Sequence, residues 1–207
     1  MSGPGGRSVG RAPGRELTLD DIADLRAYER EREEFRVRVK ELKRRRRVSV
    51  GPIVTLVFEN RDTVRFQVQE MARAERIHTD EGIQTELDMY NPLIPGPGRL
   101  SATLFVELTS KEALTEWLPK LVGIEQSVEL RFAGETVRCE VEEAHAGQLT
   151  RDDVTASVHY IGFRMTDDQV ERLSTGPVTL AVEHPAYRES VVLSYETRQE
   201  LLADLRG

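Results

Sequence analysis

The sequence predicts an α+β fold: a mixed or mainly antiparallel sheet with helices packed on one side and a long N-terminal amphipathic helix. Three observations carry this expectation. After Thr18 the chain runs for about 25 residues without Gly or Pro, with apolar residues at helical spacing. Residues 100–108 alternate apolar and polar, and the later strands follow one another at hairpin-like intervals.

Taken in order, residues 1–15 hold five Gly, two Pro and three Arg, too little apolar surface to offset the entropy of ordering, and are expected to form a disordered tail. A single domain over 16–207 follows. Thr18 three residues before Asp21 reads as a helix start, and Ile22, Leu25, Tyr28, Phe35, Val39 and Leu42 form the buried stripe of a helix over 18–44, interrupted by Arg32. Gly51-Pro52 breaks the chain before a β-branched strand at 53–58. Helices are expected over 62–78 and 80–90, the second stopped by Asn91-Pro92. In the strand 100–108, Leu100, Ala102, Leu104, Val106 and Leu108 share the buried face. A helix over 111–121 precedes strands 126–132 and 135–142, joined at Ala133-Gly134. Strand 154–165, helix 167–174, strands 177–183 and 188–193, and helix 195–205 complete the domain.

Composition narrows the function classes. A chain of 207 residues can bury a core without metal or disulfide staples. One cysteine, Cys139, excludes an internal disulfide framework, a cysteine-rich zinc site and a self-contained iron–sulfur cluster. No apolar run approaches a membrane span and no signal-peptide pattern opens the chain, so a cytoplasmic protein is the expectation. Residues 1–47 carry 14 Lys+Arg against 9 Asp+Glu, leaving 15 against 27 for an acidic body. That body lacks the clustered cations that nucleic-acid backbones require. The run Arg44-Arg45-Arg46-Arg47 invites an anionic partner, but cations at a helix C-terminus also offset the macrodipole, and acidic residues are plentiful to pair with them. The helix 18–44 stripe can cover its own body or meet a second copy in a homodimer.

Chemistry-bearing residues concentrate at 62–78. On an ideal helix Glu75 falls within the apolar stripe of Val64, Val68 and Met71, with His78 at its border and Glu70 between Phe66 and Ala74. A carboxylate there must be paired, protonated or metal-bound. Arg32 is the expected partner of Glu75. The alternative starts from Glu75-x-x-His78, a spacing that presents both side chains on one helical face. Glu107, on the strand face of Phe105, and His159, on that of Ile161 and Phe163, could converge with Glu70, Glu75 and His78 on one acid–base or metal site. Glu75, His78 and His159 are the metal-ligand candidates, for a single iron, manganese or zinc ion. His184-Pro185 with Tyr187 reads as a rigid turn with an aromatic plug. There is no nucleophile elbow, Gly-rich phosphate loop or dinucleotide fingerprint.

The segments Phe58-Glu59-Asn60-Arg61-Asp62-Thr63-Val64, Phe66-Gln67-Val68-Gln69-Glu70-Met71, Gly82-Ile83-Gln84-Thr85-Glu86-Leu87, Tyr90-Asn91-Pro92-Leu93-Ile94-Pro95, Ser157-Val158-His159-Tyr160 and His184-Pro185-Ala186-Tyr187 resemble an uncharacterised bacterial family known as domain of unknown function three thousand five hundred and one. The resemblance spans roughly 17–205 and implies no reaction. It implies a genomic neighbourhood of rubrerythrin-like di-iron proteins and iron–sulfur oxidoreductases. The leading expectation is therefore a non-catalytic accessory or interaction protein of a cytoplasmic redox or oxidative-stress system, with such a redox protein as partner. The alternative is a small metal- or carboxylate-dependent enzyme.

Overall fold

A computed structural model describes residues 15–142 and 154–207; the expected tail lies outside them except for Arg15. Within these residues, strands β1 (Arg47–Val50), β2 (Val54–Phe58), β3 (Arg99–Val106), β7 (Val158–Arg164) and β6 (Glu140–Val141) form one antiparallel sheet in the order β1-β2-β3-β7-β6. Strands β5 (Glu135–Arg138), β4 (Val128–Phe132), β8 (Val178–His184) and β9 (Tyr187–Val192) form a second, in the order β5-β4-β8-β9. The α+β class holds, with two sheets where the strand pattern alone suggested one.

Strand alternation explains how the sheets meet. Val54, Leu56 and Phe58 of β2, Leu100, Ala102 and Leu104 of β3, and Ile161 and Phe163 of β7 point to a common side. There they share one core with Val128, Leu130 and Phe132 of β4 and Val178, Leu180 and Val182 of β8. The helices α5 (Asp167–Ser174) and α6 (Tyr195–Arg206) add Val170, Leu173, Leu201, Leu202 and Leu205 to the same core. Between β3 and β4 lies the short α4 (Lys111–Trp117), whose Trp117 ring stands edge-on to Tyr187 with centroids 6.4 Å apart.

The other face of the five-stranded sheet carries the rows Val57–Thr103–Tyr160 and Thr55–Phe105–Val158. Three helices cover it: α1 (Leu25–Arg46), α2 (Arg61–Glu75) and α3 (Asp80–Tyr90). Tyr28, Phe35 and Val39 of α1 pack with Phe66 of α2, the Phe35 and Phe66 rings meeting edge to face at 5.6 Å. Val64 and Val68 of α2 pack with Leu87 and Tyr90 of α3. The α1 stripe thus closes on its own chain.

Three boundaries differ from the sequence expectation, each for a local reason. Thr18 and Asp21 do make a capping box, but it caps a 3-10 turn at Leu19–Asp21; Asp24 then starts α1 by accepting from the Arg26 and Ala27 N–H groups. Helix α2 stops at Glu75 because Arg76 turns left-handed (φ 55°), short of His78. Strand β1 was not expected, and its hairpin with β2 is pinned by Tyr187, whose hydroxyl donates to the Val50 carbonyl at 2.7 Å and accepts from the Ile53 N–H at 3.3 Å. Gly51 in that turn has φ 71°, and a Cβ there would lie 2.3 Å from the same hydroxyl.

Candidate functional site

The five candidate residues do not come together. Glu70 accepts from Arg32 Nε at 2.8 Å and Nη2 at 2.9 Å, and from the Tyr28 hydroxyl at 2.7 Å. The Arg32 guanidinium, with Tyr28 assisting, holds the Glu70 carboxyl below its ordinary range. Arg32 therefore pairs with Glu70 and not with Glu75, which is exposed, as is His78 in the α2–α3 connection. Glu107 lies at the sheet edge, ion-paired with Arg47 and accepting from Thr55 Oγ1 at 2.7 Å. His159 is on the opposite side of the sheet, 3% exposed in the core. Its Nε2 is 2.9 Å from both Thr155 Oγ1 and the Ala156 carbonyl, and its Nδ1 is 4.0 Å from Glu125 Oε2. Burial pushes the His159 pKa down while the Glu125 carboxylate opposes it. Among the described residues no three His, Cys, Asp or Glu side chains stand close enough to hold a metal together. Glu75, His78 and His159 accordingly form no shared ligand set.

The remaining singled-out residues have structural occupations. Cys139 donates to the Glu125 carbonyl at 3.1 Å, and burial pushes its thiol up to about 11. His184 Nδ1 accepts from Ala186 N–H at 3.2 Å, so its Nε2 donates to the Val122 carbonyl at 3.0 Å. Each arginine of the basic run meets a carboxylate: Arg44 with Glu41, Arg45 with Glu200, Arg46 with Asp204 and Glu200, and Arg47 with Glu107.

A polar cavity does form where the helical layer meets the five-stranded sheet, with a volume of about 230 Å³. Thr103, Phe105, Val158 and Tyr160 provide its floor, and Glu59, just past the end of β2, its end wall. Val64 and Gln67 of α2, Tyr90 of α3, Leu93 and Lys43 of α1 complete it. These positions follow from the register, since Thr103 and Tyr160 are cross-strand partners on the face away from the core.

Glu59 is 7% exposed, and its Oε1 accepts from Thr103 Oγ1 at 2.6 Å. The Tyr90 hydroxyl is hydrogen-bonded to Gln67 and to Tyr160. Burial first, then Tyr90 and Glu59, pushes Tyr160 up to about 12. Burial likewise raises Tyr90, and Glu86 and Glu75 add to the rise from behind it. Glu86 is itself buried, with Oε2 unpartnered, and burial followed by the Glu75 charge raises its pKa. A larger concavity of about 360 Å³ beside His78 is bounded by exposed residues such as Arg26 and Asp80 and has no buried ionisable wall.

Comparison with known proteins agrees with the fold and leaves the chemistry open. Residues 16–205 match a family described as a protein of unknown function, DUF3501. The chain belongs to the DUF3501 family. A crystal structure of a novel protein of unknown function from Burkholderia pseudomallei K96243 is 36% identical, with a TM-score of 0.84 over 91% of this chain and 98% of that one. No curated protein matches. For this DUF3501 protein most cavity residues, Glu59, Val64, Gln67, Tyr90, Leu93, Val158 and Tyr160, lie in the segments that carry the family resemblance, but none of them was among the candidate site residues. Phe105 was legible as sharing a strand face with Glu107, and nothing in the sequence alone brings Thr103 and Glu59 to one cavity. No helix among the described residues is long and apolar enough to cross a membrane.

Proposed function

We propose that the protein is a non-catalytic accessory protein whose working part is the Glu59–Tyr160 cavity, a recognition site for a small polar molecule. The observation that carries this is a carboxylate, Glu59, buried at 7% exposure against a cavity it shares with two tyrosines, a glutamine and a lysine. Burial of such a group is costly unless a partner compensates for the water it loses. A cavity of about 150 Å³ accepts benzene; this one, at about 230 Å³, fits a small metabolite. Recognition is favoured over proton transfer by the tyrosines: with Tyr160 at about 12, its proton stays in place near neutral pH, and its hydroxyl is engaged with Tyr90. A redox or oxidative-stress setting, with a rubrerythrin-like or iron–sulfur partner, is supported by the family resemblance alone.

The test is a thermal-shift screen of the full chain against small polar metabolites, run beside Val158→Trp, which fills the cavity floor from a half-buried position. A ligand at 100 times its Kd adds about 2.7 kcal/mol, or roughly 5–10 °C for a domain of this size. Stabilisation of the parent that disappears in Val158→Trp is the expected result. Equal shifts in both proteins, or none from any compound, refute the cavity as the working site.

A further inference from the structure

The cavity holds two opposite charges that do not pair with each other. Glu59 uses Oε1 on Thr103, and its Oε2 has no protein partner among the described residues. Lys43 also lines the cavity, its Nζ 5.9 Å from the centre of the Phe66 ring and without a carboxylate within ion-pair distance among the described residues. On the same helix Arg32, Arg36, Arg38, Arg44, Arg45 and Arg46 each meet a carboxylate; Arg26, Arg30 and Lys40 share the unpaired state of Lys43 among the described residues, but of these four only Lys43 lines the cavity. The same cavity is lined by the apolar side chains of Phe105, Leu93 and Val158. A molecule complementary to this surface donates from a cation at one end, accepts at the other and carries a small apolar body.

We propose that the cavity binds a small zwitterion of the α-amino-acid class, with its ammonium on Glu59 and its carboxylate on Lys43. The inference rests on the cavity being a binding site and adds the ligand's charge pattern. Three features support the orientation. Glu59 Oε2 is an acceptor fixed by the Thr103 bond to its sister oxygen, so an ammonium there gains a charge-assisted bond with no protein side chain to displace. Glu86 and Glu75, whose charges both bear on Tyr90, add negative field on the Tyr90 side of the cavity, while Tyr90 itself stays a neutral phenol. Lys43 sits on a flexible stem at the half-buried mouth, able to reach a carboxylate without first breaking an ion pair.

Isothermal titration with matched probes separates the possibilities: L-leucine beside 3-methylbutylamine and 4-methylpentanoate, and L-phenylalanine beside 2-phenylethylamine and 3-phenylpropionate. The expected result is that at least one amino acid binds about tenfold or more tightly than both its amine and its carboxylate, since each lost charge-assisted bond leaves a charge of the cavity unpaired. Lys43→Met, a change at a half-buried position, should erase the advantage over the amine and spare that over the carboxylate. Glu59→Gln should do the reverse. The ranking of probes on the unmodified protein stands even if Glu59→Gln fails to fold. If neither amino acid outranks its matched amine and carboxylate, the zwitterion assignment is wrong. Binding of neutral compounds that Val158→Trp abolishes would in that case still leave the cavity a ligand site.

Discussion

Arg46 offers the sharpest test of how the layers are held together. It is the last residue of α1 and is 2% exposed, yet it is a guanidinium. Its Nη1 donates to Asp204 Oδ2 at 2.6 Å and its Nη2 to Asp204 Oδ1 at 3.0 Å and Glu200 Oε2 at 3.1 Å, while Nε has no partner. Burial alone would lower its pKa, but the two carboxylates outweigh it and the pKa is raised. The pair joins α1 to α6, whose Leu201, Leu202 and Leu205 lie in the inter-sheet core. Arg46→Met keeps much of the aliphatic stem and strands Asp204, 13% exposed, without its bidentate partner; Glu200 keeps Arg45 at 3.0 Å. Removing one member of a buried pair costs about 3–5 kcal/mol. With Glu200 still partnered, the lower half of that range is expected, roughly 3–4 kcal/mol. Urea unfolding followed by circular dichroism reads this as a lower midpoint at unchanged slope. Arg46→Met/Asp204→Leu should recover much of the loss, because two apolar groups replace two desolvated charges. A single variant within 1 kcal/mol of the parent would refute the assignment of Arg46 as a clamp, as would a double variant no better than the single.

Two further outcomes follow from the same packing. Glu70→Gln should cost about 1.5–3 kcal/mol at pH 7, the scale of hydrogen bonds to a charged group. Because the folded-state pKa of Glu70 is depressed, its contribution is present above the unfolded value near 4.5 and is lost as pH falls through the lower folded value. Melts of parent and Glu70→Gln should therefore converge below pH 4.5, and a gap that widens on acidification would contradict the pairing with Arg32. Cys139, with its thiol raised to about 11, should resist iodoacetamide at pH 8 in the folded protein and react once denaturant is added. Rapid modification of the native protein would show that the thiol is accessible.

What the sequence could and could not convey is clearest at Arg32. A cation interrupting an apolar stripe requires a carboxylate across the interface, and that requirement is met. Choosing Glu75 assumed one ideal wheel running to His78 and set Arg32 against the Val64–Val68 stripe rather than against the flank of Phe66 and Ala74, where Glu70 lies. Helix α2 in fact has two buried flanks: Val64 and Val68 toward α3 and the sheet, and Phe66 toward α1. Glu70 lies one turn beyond Phe66 on the second flank, where α1 brings Tyr28 and Arg32, while Glu75 ends the helix in solvent. Both flanks read from one helix's periodicity; which of them meets α1 depends on how the two helices cross. The same limit applied to His159, whose apolar strand face was read correctly, with no indication that the face lay across the sheet from every other candidate.

The cavity escaped notice for a related reason, and that reason bears on its role. In β3 the alternation of Leu100, Ala102, Leu104 and Val106 announces a core, while on the face of Ser101, Thr103 and Phe105 the pattern drew attention only to Glu107. Here that face is roofed by helices, yet it kept its polar residues: Thr103 is 5% exposed and Glu59 7%. A roofed sheet face can be stabilised by apolar residues, which make up most of the inter-sheet core of this molecule apart from the hydrogen-bonded His159. Phe105 and Val158 meet that need in one row, whereas Thr103 and Tyr160 in the next, together with Glu59, do not. Polar groups buried beneath a helical layer, around a space of about 230 Å³ rather than packed against apolar side chains, forgo stability that Val or Leu could supply at the same positions. The arrangement has a physical rationale if the space is occupied by a molecule that completes the hydrogen bonds the protein leaves open.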